Sequence, residues 1–258
     1  MINGLVQTAT LGRRAVIRTA RQPANVVFPL VFPMLLVAVT AGGLKPATNL
    51  PGFPTNSILA FVIAIPFIQG ALLATINANV EFARDIQTGF LNRLALTPVR
   101  GLVLLVGQLG GLLTIAVAQG VFYLVVALAF GVRLETGVGG AALLLVLETV
   151  IALAFASFGT WAALRTGSTE AVQGLFPVFF VFLFLSSMNM PRNLIEADWF
   201  RWVATVNPVS YLIEAVRSLV IENWHWETIG LGFAVGGGMS LIGFALAAHA
   251  LVGRLTRT

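Results

Sequence analysis

The chain has 258 residues, of which 58% are hydrophobic and 10% charged, and its formal net charge is +5. Soluble domains carry about 25% charged residues, so this composition argues against a water-exposed globular fold. The sequence contains no cysteine, which excludes disulfide bonds and thiolate metal sites.

Six long apolar segments follow one another along the chain, and the charged residues lie almost entirely between them. We place the spans at about residues 25–44, 57–79, 101–128, 138–164, 171–189 and 228–252. A helix needs roughly 20 mostly apolar residues to cross a bilayer, and lipid cannot satisfy exposed backbone groups. The predicted fold class is therefore an all-α integral membrane protein with six transmembrane helices in a single domain, residues 1–258.

The distribution of positive charge indicates how these spans are oriented. Basic residues cluster before the first span and after the last one, which is typical of cytoplasmic ends, and six spans place both termini on one side. With this orientation ten of the fifteen basic residues lie inside: Arg13, Arg14, Arg18, Arg21, Arg84, Arg93, Arg100, Arg165, Arg254 and Arg257. We predict a multi-pass protein of the cell (plasma or inner) membrane, and this distribution argues against nucleic-acid binding.

The membrane domain is divided into four parts. Residues 1–24 are predicted to form an amphipathic helix in the membrane interface, because apolar side chains share one face and the arginines lie elsewhere. Residues 25–190 hold the first five spans, and Pro29 and Pro33 predict a bend in span one. Residues 191–227 form an external segment, and residues 228–258 hold span six and a cytoplasmic tail. Glycines 236–238 in span six indicate close helix packing.

The connection between spans two and three, EFARDIQTGFLNRLALTPVR, is longer than a simple turn. Its apolar residues recur at helical spacing, and charged residues supply the other faces. Gly89 allows a break, and Thr97-Pro98 ends the pattern. We expect a short amphipathic helix at the inner membrane surface that continues span two. It either docks into a groove of a cytoplasmic protein or contacts only lipid, and the composition leaves both open.

The connection before span six is the second long one. It holds four of the five tryptophans, which favour the headgroup boundary. Asn207 and Pro208 predict a capped helix start. Glu214 and Arg217 lie one turn apart and can pair. Two short helices are expected to lie at the outer leaflet or to dip into it, either as a lid on a pathway or as surface helices without a gating role.

Glu148 lies near the middle of span four, where an ionised carboxylate is costly. We expect it to face the helix bundle or a watery cavity. The functional interpretations are a proton relay or a contact for a cationic substrate. The structural interpretation, which we prefer, is a hydrogen-bonded lock to a hydroxyl or amide of a neighbouring helix. No Gly-x-x-x-x-Gly-Lys-Ser/Thr motif occurs, so we expect no catalytic residues for ATP hydrolysis in this chain. We also expect no metal ligands.

Both long connections resemble those of one family. ATVNPVSYLIEAVRSLV resembles the Asn-Pro…Glu-Ala-x-Arg signature before the last span of type-2 ABC exporter permeases. EFARDIQTGFLNRLALTPVRGLVLLVGQLGG is similar to their second conserved region, in which an acidic residue precedes a Gly-Phe-Leu-x-Arg-Leu-x-x-Thr-Pro run. The resemblance covers the six-span plan over nearly the whole chain and is nearest to the daunorubicin-resistance permease group.

This resemblance implies the transmembrane subunit of an ATP-driven exporter with no enzymatic activity of its own. Two permeases, as a homodimer or a pair of homologues, would engage two separate ATPase subunits that bind ATP and magnesium, and this chain would hold no cofactor. The substrate would be amphipathic or hydrophobic, either drug-like or lipid-like. Residues 191–227 would form two re-entrant external helices, and the pathway would lie at the subunit interface along spans two and five.

The resemblance also implies roles for individual residues. Coupling to the ATPase would involve Glu81, Phe82, Arg84, Asp85, Gly89, Phe90 and Arg93. The external re-entrant signature would consist of Asn207, Pro208, Tyr211, Glu214 and Arg217. The candidate substrate-pathway residues, for which the family offers no invariant ligands, are Gln69, Asn77, Glu148, Phe180 and Phe184.

Three alternatives stay open at the level of the sequence. An ion-coupled secondary transporter would work without an ATPase and would use intramembrane carboxylates, of which the spans contain only Glu148. A permease for glycan or lipid-linked cargo would share the same six-span plan. A membrane-embedded enzyme would require clustered His, Asp or Glu near one leaflet, and no such cluster is apparent in the sequence.

Overall fold

The computed structural model describes residue 17, residues 23–89 and residues 101–255. The regular structure of this part is helical, as predicted. Its α-helices are α1 (Pro23–Gly43), α2 (Ile58–Val62), α3 (Ala64–Gln87), α4 (Gly101–Ala129), α5 (Gly137–Thr166), α6 (Thr169–Gln173), α7 (Leu175–Phe184), α8 (Asp198–Val206), α9 (Pro208–Ile221) and α10 (Trp226–Leu255). Short 3₁₀ helices form at Lys45–Asn49 and Arg192–Leu194.

Five segments of the described residues are long and apolar enough to cross a bilayer: Val26–Gly43, Ile58–Gln87, Leu109–Ala129, Gly137–Thr166 and Trp226–Arg254. They correspond to predicted spans one, two, three, four and six. Predicted span five instead forms the short helices α6 and α7, of 5 and 10 residues. At about 1.5 Å per residue these cover about 23 Å, less than the ~30 Å of a hydrocarbon core. The all-α architecture is confirmed for the described residues, and the five apolar helices agree with an integral membrane protein, whereas a sixth full span stays a prediction.

Helices α2 and α3 form the centre of the bundle. In their segment 94% of the residues of the apolar window are buried, compared with 17% in the window of α1. Helices α1, α4, α5 and α9 pack around this pair. The main apolar core includes Phe61, Phe67 and Leu72 from it. We call the end of the bundle that holds α8 and α9 the outer end and the end that holds Gln87 the inner end, following the predicted orientation.

Helix α10 packs along α5 and α9 through glycines. A side chain at Gly236 or Gly243 would clash with side chains of α5, so the missing Cβ permits close approach. By contrast, a Cβ at Gly237 or Gly238 would meet no described atom within 4 Å. The predicted close packing is therefore confirmed for Gly236, while the next two glycines face away from the bundle.

In the proline-containing helix α1, a side chain of another helix replaces a missing hydrogen-bond donor. Pro33 has no N–H to donate to the carbonyl of Pro29, so that carbonyl loses its partner within the helix. The hydroxyl of Tyr123 on α4 donates to this oxygen over 2.5 Å. Tyr123 is fully buried, and its ring fits because Gly70 on α3 has no side chain to obstruct it.

The inner connection begins as predicted. Helix α3 continues span two as far as Gln87, and Gly89 has a φ of +70°, a conformation that glycine adopts without strain and that ends a helix. Phe90 and Arg93 lie outside the described residues. The predicted interfacial helix, residues 1–24, also lies outside them except for residue 17 and the start of α1.

Candidate functional site

Helix α7 ends at Phe184, and residues 185–188 turn before the chain reaches the outer surface. The last carbonyls of a helix have no partner within it, and unpaired backbone groups are costly in a membrane. Asn207, at the start of α9, and Arg217, in its second half, donate hydrogen bonds to four carbonyls of residues 182–188. We call these residues and the segment 182–188 the outer clamp.

Asn207 acts on two helices at once. Its Oδ1 accepts a hydrogen bond from the N–H of Val209 at 3.0 Å, so it is the N-cap of α9 that the Asn-Pro pattern predicted. Its Nδ2 donates to the carbonyl oxygens of Phe182, at 2.5 Å, and Leu185, at 3.0 Å. One amide therefore begins α9 and satisfies the end of α7.

Arg217 is the central residue of the outer clamp and is only 5% exposed. Its Nε donates to the carbonyl oxygen of Phe61 at 3.0 Å. Its Nη1 donates to the carbonyl of Ser187 at 2.5 Å, and its Nη2 donates to that of Met188. The guanidinium carbon also lies 3.6 Å from the centre of the Phe61 ring. Arg217 therefore connects α9 both to α2 and to the turn after α7.

The pairing of Glu214 with Arg217 that their spacing allows does not form. Glu214 forms an ion pair with Arg192, which precedes α8, and the Arg192 guanidinium lies 4.7 Å from the centre of the Tyr211 ring. Tyr211 in turn donates its hydroxyl to the carbonyl of Thr205 at 2.8 Å. The physical reason is that Arg217 turns into the bundle toward unpaired carbonyls, whereas Glu214 stays at the more exposed outer edge.

The other end of α9 is fixed to the connection between α4 and α5. The hydroxyl of Thr136 donates to the carbonyl of Leu219 at 2.5 Å, and the N–H of Glu135 donates to the carbonyl of Val220 at 3.1 Å. Helix α9 is thereby held at both ends by hydrogen bonds to its neighbours. It is an integral part of the bundle and not a separate surface helix.

A polar cavity of about 400 Å³ opens beside the outer clamp. Its charged lining residues are Arg192, Glu214, Arg217 and Glu222. Phe61 and Ile221 contribute apolar parts of the wall. Because charges of both signs line it, the cavity suits water or a polar group better than an apolar chain.

At the inner end, α3 divides the predicted coupling residues between two faces. Phe82 and Ile86 are 5% and 6% exposed and pack against α5 and α10 in a second apolar cluster. On the other face Arg84 is exposed and forms an ion pair of 2.9 Å with Glu81, and Asp85 is half-buried. Phe82 therefore supports this segment from inside the permease and is not part of a docking face, whereas Arg84 is accessible to a partner.

We predicted a hydrogen-bonded lock between span four and a neighbouring helix through Glu148. The structure contains such a lock between α3 and α5, but its central residue is Asn79. The Nδ2 of Asn79 donates to the carbonyls of Thr75, at 2.9 Å, and Ala156, at 3.2 Å. The hydroxyl of Thr160 on α5 donates to the Oδ1 of Asn79 at 2.9 Å. The lack of a side chain at Gly159 leaves the space that the amide occupies.

Glu148 is completely buried, and neither of its carboxylate oxygens has a hydrogen-bond partner in the described part of the chain. The predicted lock through Glu148 is therefore wrong for this conformation. Its Cγ lies 3.2 Å from the position that a Cβ of Gly120 on α4 would take, so α4 packs directly against it. Gln69 and Gln119 also have buried amide atoms without described partners. A helix rearrangement or a bound polar group would satisfy such atoms.

The five predicted pathway residues lie in different environments. Gln69 and Glu148 are in the core of the bundle, and Asn77 and Phe180 are half-buried. Phe184 is 46% exposed, and its ring centre lies 4.9 Å from that of Phe180. The structure thus brings two aromatic rings together on α7, and the lining role of all five residues stays a prediction.

Comparison with known proteins decides the family. The family model described as ABC-2 type transporter matches residues 6–221. The chain belongs to the ABC-2 type transporter family. It is 26% identical over 241 residues to the probable doxorubicin resistance ABC transporter permease protein DrrC of Mycobacterium tuberculosis, covering 90% of this chain and 78% of that one. It is 25% identical over 224 residues to the putative transport permease ycf38 of Porphyra purpurea, covering 84% and 74%.

Family membership confirms the resemblance to type-2 ABC permeases, and the similarity to DrrC agrees with the resemblance to drug-resistance permeases. An ABC-2 permease is a membrane subunit for transport, which associates with an ABC ATPase. The helices of this permease agree with a multi-pass membrane protein. The structure gives a physical role to two residues of the external signature: Asn207 and Arg217 donate hydrogen bonds to carbonyls at the end of α7 and in the turn after it.

Two long-range contacts of this ABC-2 permease were missed from the sequence. The interaction of Tyr123 with α1 could have been predicted in part, because Pro33 has no N–H and leaves the carbonyl of Pro29 without its donor within the helix. Nothing in the sequence indicated which donor. The pairing of Arg192 with Glu214 joins residues 22 positions apart and carried no periodic signal.

Proposed function

We propose that this ABC-2 permease is the transmembrane subunit of an ATP-driven exporter in the cell membrane, with both termini in the cytoplasm. It pairs with a second copy of itself or with a homologous permease, and two copies of a separate ATPase bind ATP and magnesium. The observation that carries the proposal is the family match over residues 6–221. The identity with a permease named for doxorubicin resistance supports export as the direction of transport.

Helix α3 is the element that we propose transmits movement from the ATPase. It is continuous over 24 residues, or about 36 Å at 1.5 Å per residue. Its inner end presents Arg84 on the accessible face and is buried on the other. Just before its outer end, the carbonyl of Phe61 is bound by Arg217. A displacement of the inner end would therefore reach the outer clamp through α3 and the short helix α2 that precedes it.

The proposed substrate is amphipathic or hydrophobic, of a drug-like or lipid-like kind. The name of the mycobacterial relative supports this class. The exposed phenylalanines Phe182 and Phe184 on α7 supply an apolar surface of the kind such a substrate needs. The proposed pathway lies where two permeases meet, with α7 facing it.

Reconstitution of the permease with its ATPase subunit in liposomes tests the proposal. We expect the two subunits to purify together and to accumulate doxorubicin in inside-out vesicles only when ATP and magnesium are present. Proton-driven drug transport by the permease alone would overturn the proposal. Stimulation of the ATPase by lipid-linked glycans, with no response to drugs, would retain the transporter and replace its substrate.

A second candidate function, ion-coupled transport, is favoured by one observation, the buried Glu148 carboxyl without a described partner. The substitution Glu148→Gln removes the ionisable group and keeps the shape, and Glu227→Gln at an exposed site is its control. If the ATP-driven proposal holds, Glu148→Gln leaves ATP-driven efflux unchanged. A loss of transport that also abolishes dependence on a proton gradient would favour the ion-coupled alternative.

A further inference from the structure

A cavity of about 560 Å³ lies at the inner end, between the last turns of α5 and α10. Its volume falls within the roughly 300–1,000 Å³ of small-molecule sites. One part of its wall is apolar and includes Trp161, Leu246 and Ala250. The other part is basic and polar and includes Arg165, His249 and Arg254. The cavity is therefore amphipathic, with the two kinds of wall at different positions along the helices.

The order of these residues along the helices gives the cavity a direction. On α10 the lining runs from Leu246 through Ala250 to Arg254, and on α5 it runs from Trp161 to Arg165. Residues three and four apart share one helix face, so each helix contributes a strip that is apolar toward the membrane centre and basic at its end. An occupant with an apolar tail and an anionic head matches this gradient.

The last carbonyls of α5 have hydrogen-bond donors at this place, and one of these donors is Arg254. The carbonyl of Ala162 accepts from the Thr166 hydroxyl at 2.7 Å, and that of Ala163 accepts from the N–H of Gly167 at 2.8 Å. The carbonyl of Leu164 accepts from Nη1 of Arg254 at 2.7 Å. Arg254 is thereby held at the wall of the cavity.

The charge of Arg165 is not neutralised by the described part of the chain. Arg165 is exposed, and it forms no ion pair with any described residue. The next acidic residue along the chain, Glu170, accepts hydrogen bonds from the Ser168 and Thr169 hydroxyls, at 2.6 and 2.9 Å. The Ser168 bond is the main cause that lowers the pKa of Glu170, followed by the backbone N–H of Glu170 and the Thr169 hydroxyl. Glu170 is therefore a carboxylate that is already engaged by its neighbours.

We propose that this cavity binds an anionic phospholipid, with the phosphate between Arg165 and Arg254 and the upper acyl chain along Trp161 and Leu246. A free phosphate would use only the basic part of the site and would leave the apolar wall uncovered. Leu246 is 38% exposed and continues the lipid-facing surface of α10, so an acyl chain can enter from the bilayer. This inference concerns a lipid site and does not depend on the transport function proposed above.

Gly253 keeps the cavity open. It lies on the lining between Ala250 and Arg254, and a Cβ at this position would meet no described atom within 4 Å. A large side chain there would fill space in the cavity without disturbing the packing of the described bundle. Gly237, on the same helix and outside the lining, has equally open surroundings and provides a matched control.

Quenching of Trp161 fluorescence by brominated lipids tests the proposal directly. The other tryptophans, Trp199, Trp202, Trp224 and Trp226, are exposed and can be replaced by Phe in the full-length chain. The protein is titrated in detergent with phosphatidylglycerol or phosphatidylcholine that carry the same dibrominated chains. Each basic residue near an anionic headgroup favours binding by about five-fold. We therefore expect the mole fraction that gives half-maximal quenching to be at least about five-fold lower for phosphatidylglycerol than for phosphatidylcholine.

The variants separate the site from general effects of charge. Arg165→Gln is expected to remove most of the preference for phosphatidylglycerol, while Arg133→Gln, at an exposed position in the connection between α4 and α5, leaves it intact. Gly253→Leu is expected to weaken quenching by both lipids, and Gly237→Leu is not. Equal quenching by the two lipids in the parent chain would overturn the proposal. Loss of the preference on adding millimolar inorganic phosphate would also overturn it, because the occupant would then be a soluble phosphate.

Discussion

The outer and inner ends of this permease are held together by different forces. At the outer end, the side chains of Asn207 and Arg217 bind backbone carbonyls of α7, of the turn after it and of α2. At the inner end, Phe82 and Ile86 pack among apolar side chains of α5 and α10. The first kind of contact is directional and fixes distances, whereas the second depends on contact area and tolerates sliding of one helix over another.

This difference agrees with the roles that we propose for the two ends. Movement introduced by an ATPase must enter through a segment that can shift, and an apolar cluster permits small shifts without exposing unsatisfied groups. The outer end contains the early end of α7 at Phe184, whose last carbonyls have no partners within the helix and therefore need fixed donors. Substitutions at the outer end are therefore expected to reduce stability, and substitutions on the inner surface are expected to reduce coupling.

Arg217→Met should have the largest effect on stability. The substitution keeps an apolar stem of similar length but removes three hydrogen bonds to carbonyls of buried residues, which we expect to cost about 3–5 kcal/mol of unfolding free energy. The midpoint of thermal unfolding of the purified permease in detergent measures it.

Arg133→Met is the matched control for Arg217→Met, because Arg133 is exposed. We expect a change within about 0.5 kcal/mol for the control. If both variants unfolded at the temperature of the parent protein, the outer clamp would have no energetic role.

Asn207→Ser should have the next largest effect. Serine can still accept the N–H of Val209 and cap α9, but it cannot reach the carbonyls of Phe182 and Leu185. We expect a loss of about 2 kcal/mol, measured by the same thermal unfolding. Asn223→Ser, at an exposed position, should have no measurable effect. A loss no larger than that of the control would mean that Asn207 acts as a cap only.

Features set by neighbouring residues could be predicted from the sequence, whereas contacts between residues far apart along the chain could not. The spans, the capped start of α9 at Asn207 and the break at Gly89 follow from periodicity, capping chemistry and glycine geometry within a few residues. The partners of Arg217 and Asn79 could not be predicted in this way. Phe61 lies 156 positions from Arg217 and Ala156 lies 77 positions from Asn79, so these contacts depend on how the helices pack.

The fifth span shows a limit of hydropathy. The sequence 171–189 is apolar enough to predict one helix, but the structure divides it at Gly174 and ends it at Phe184. Composition measures only whether a segment tolerates lipid. It does not measure whether the carbonyls of an early helix end will find donors, and here Asn207 and Arg217 supply them from a segment that follows in the sequence.

Thr160→Val should have a smaller effect, because it removes one hydrogen bond of the lock between α3 and α5. The hydroxyl that donates to Asn79 is lost while the shape is kept, and single hydrogen bonds between membrane helices contribute about 0.6–1.7 kcal/mol. Thr149→Val is its control on the same helix, since Thr149 bonds only to the carbonyl of Leu145 within α5. We expect the midpoint of thermal unfolding of Thr149→Val to lie closer to that of the parent protein than the midpoint of Thr160→Val does. The reverse order would contradict a lock at Asn79.

Arg84→Ala should have the smallest effect on stability and a large effect on coupling. Arg84 is exposed and its partner Glu81 is half-buried, and the loss of this ion pair within one helix is expected to cost at most about 0.5 kcal/mol. Arg201 and Asp198 form an exposed pair with the same spacing at the outer end, so Arg201→Ala is the matched control. In reconstituted vesicles we expect Arg84→Ala, and likewise Phe90→Ala, to retain ATP hydrolysis but lose ATP-driven drug transport, whereas Arg201→Ala retains both. If Arg84→Ala and Phe90→Ala transported normally, the inner surface of α3 and the segment after it would not be the place where the ATPase acts, and the contrast between the two ends would be one of packing alone.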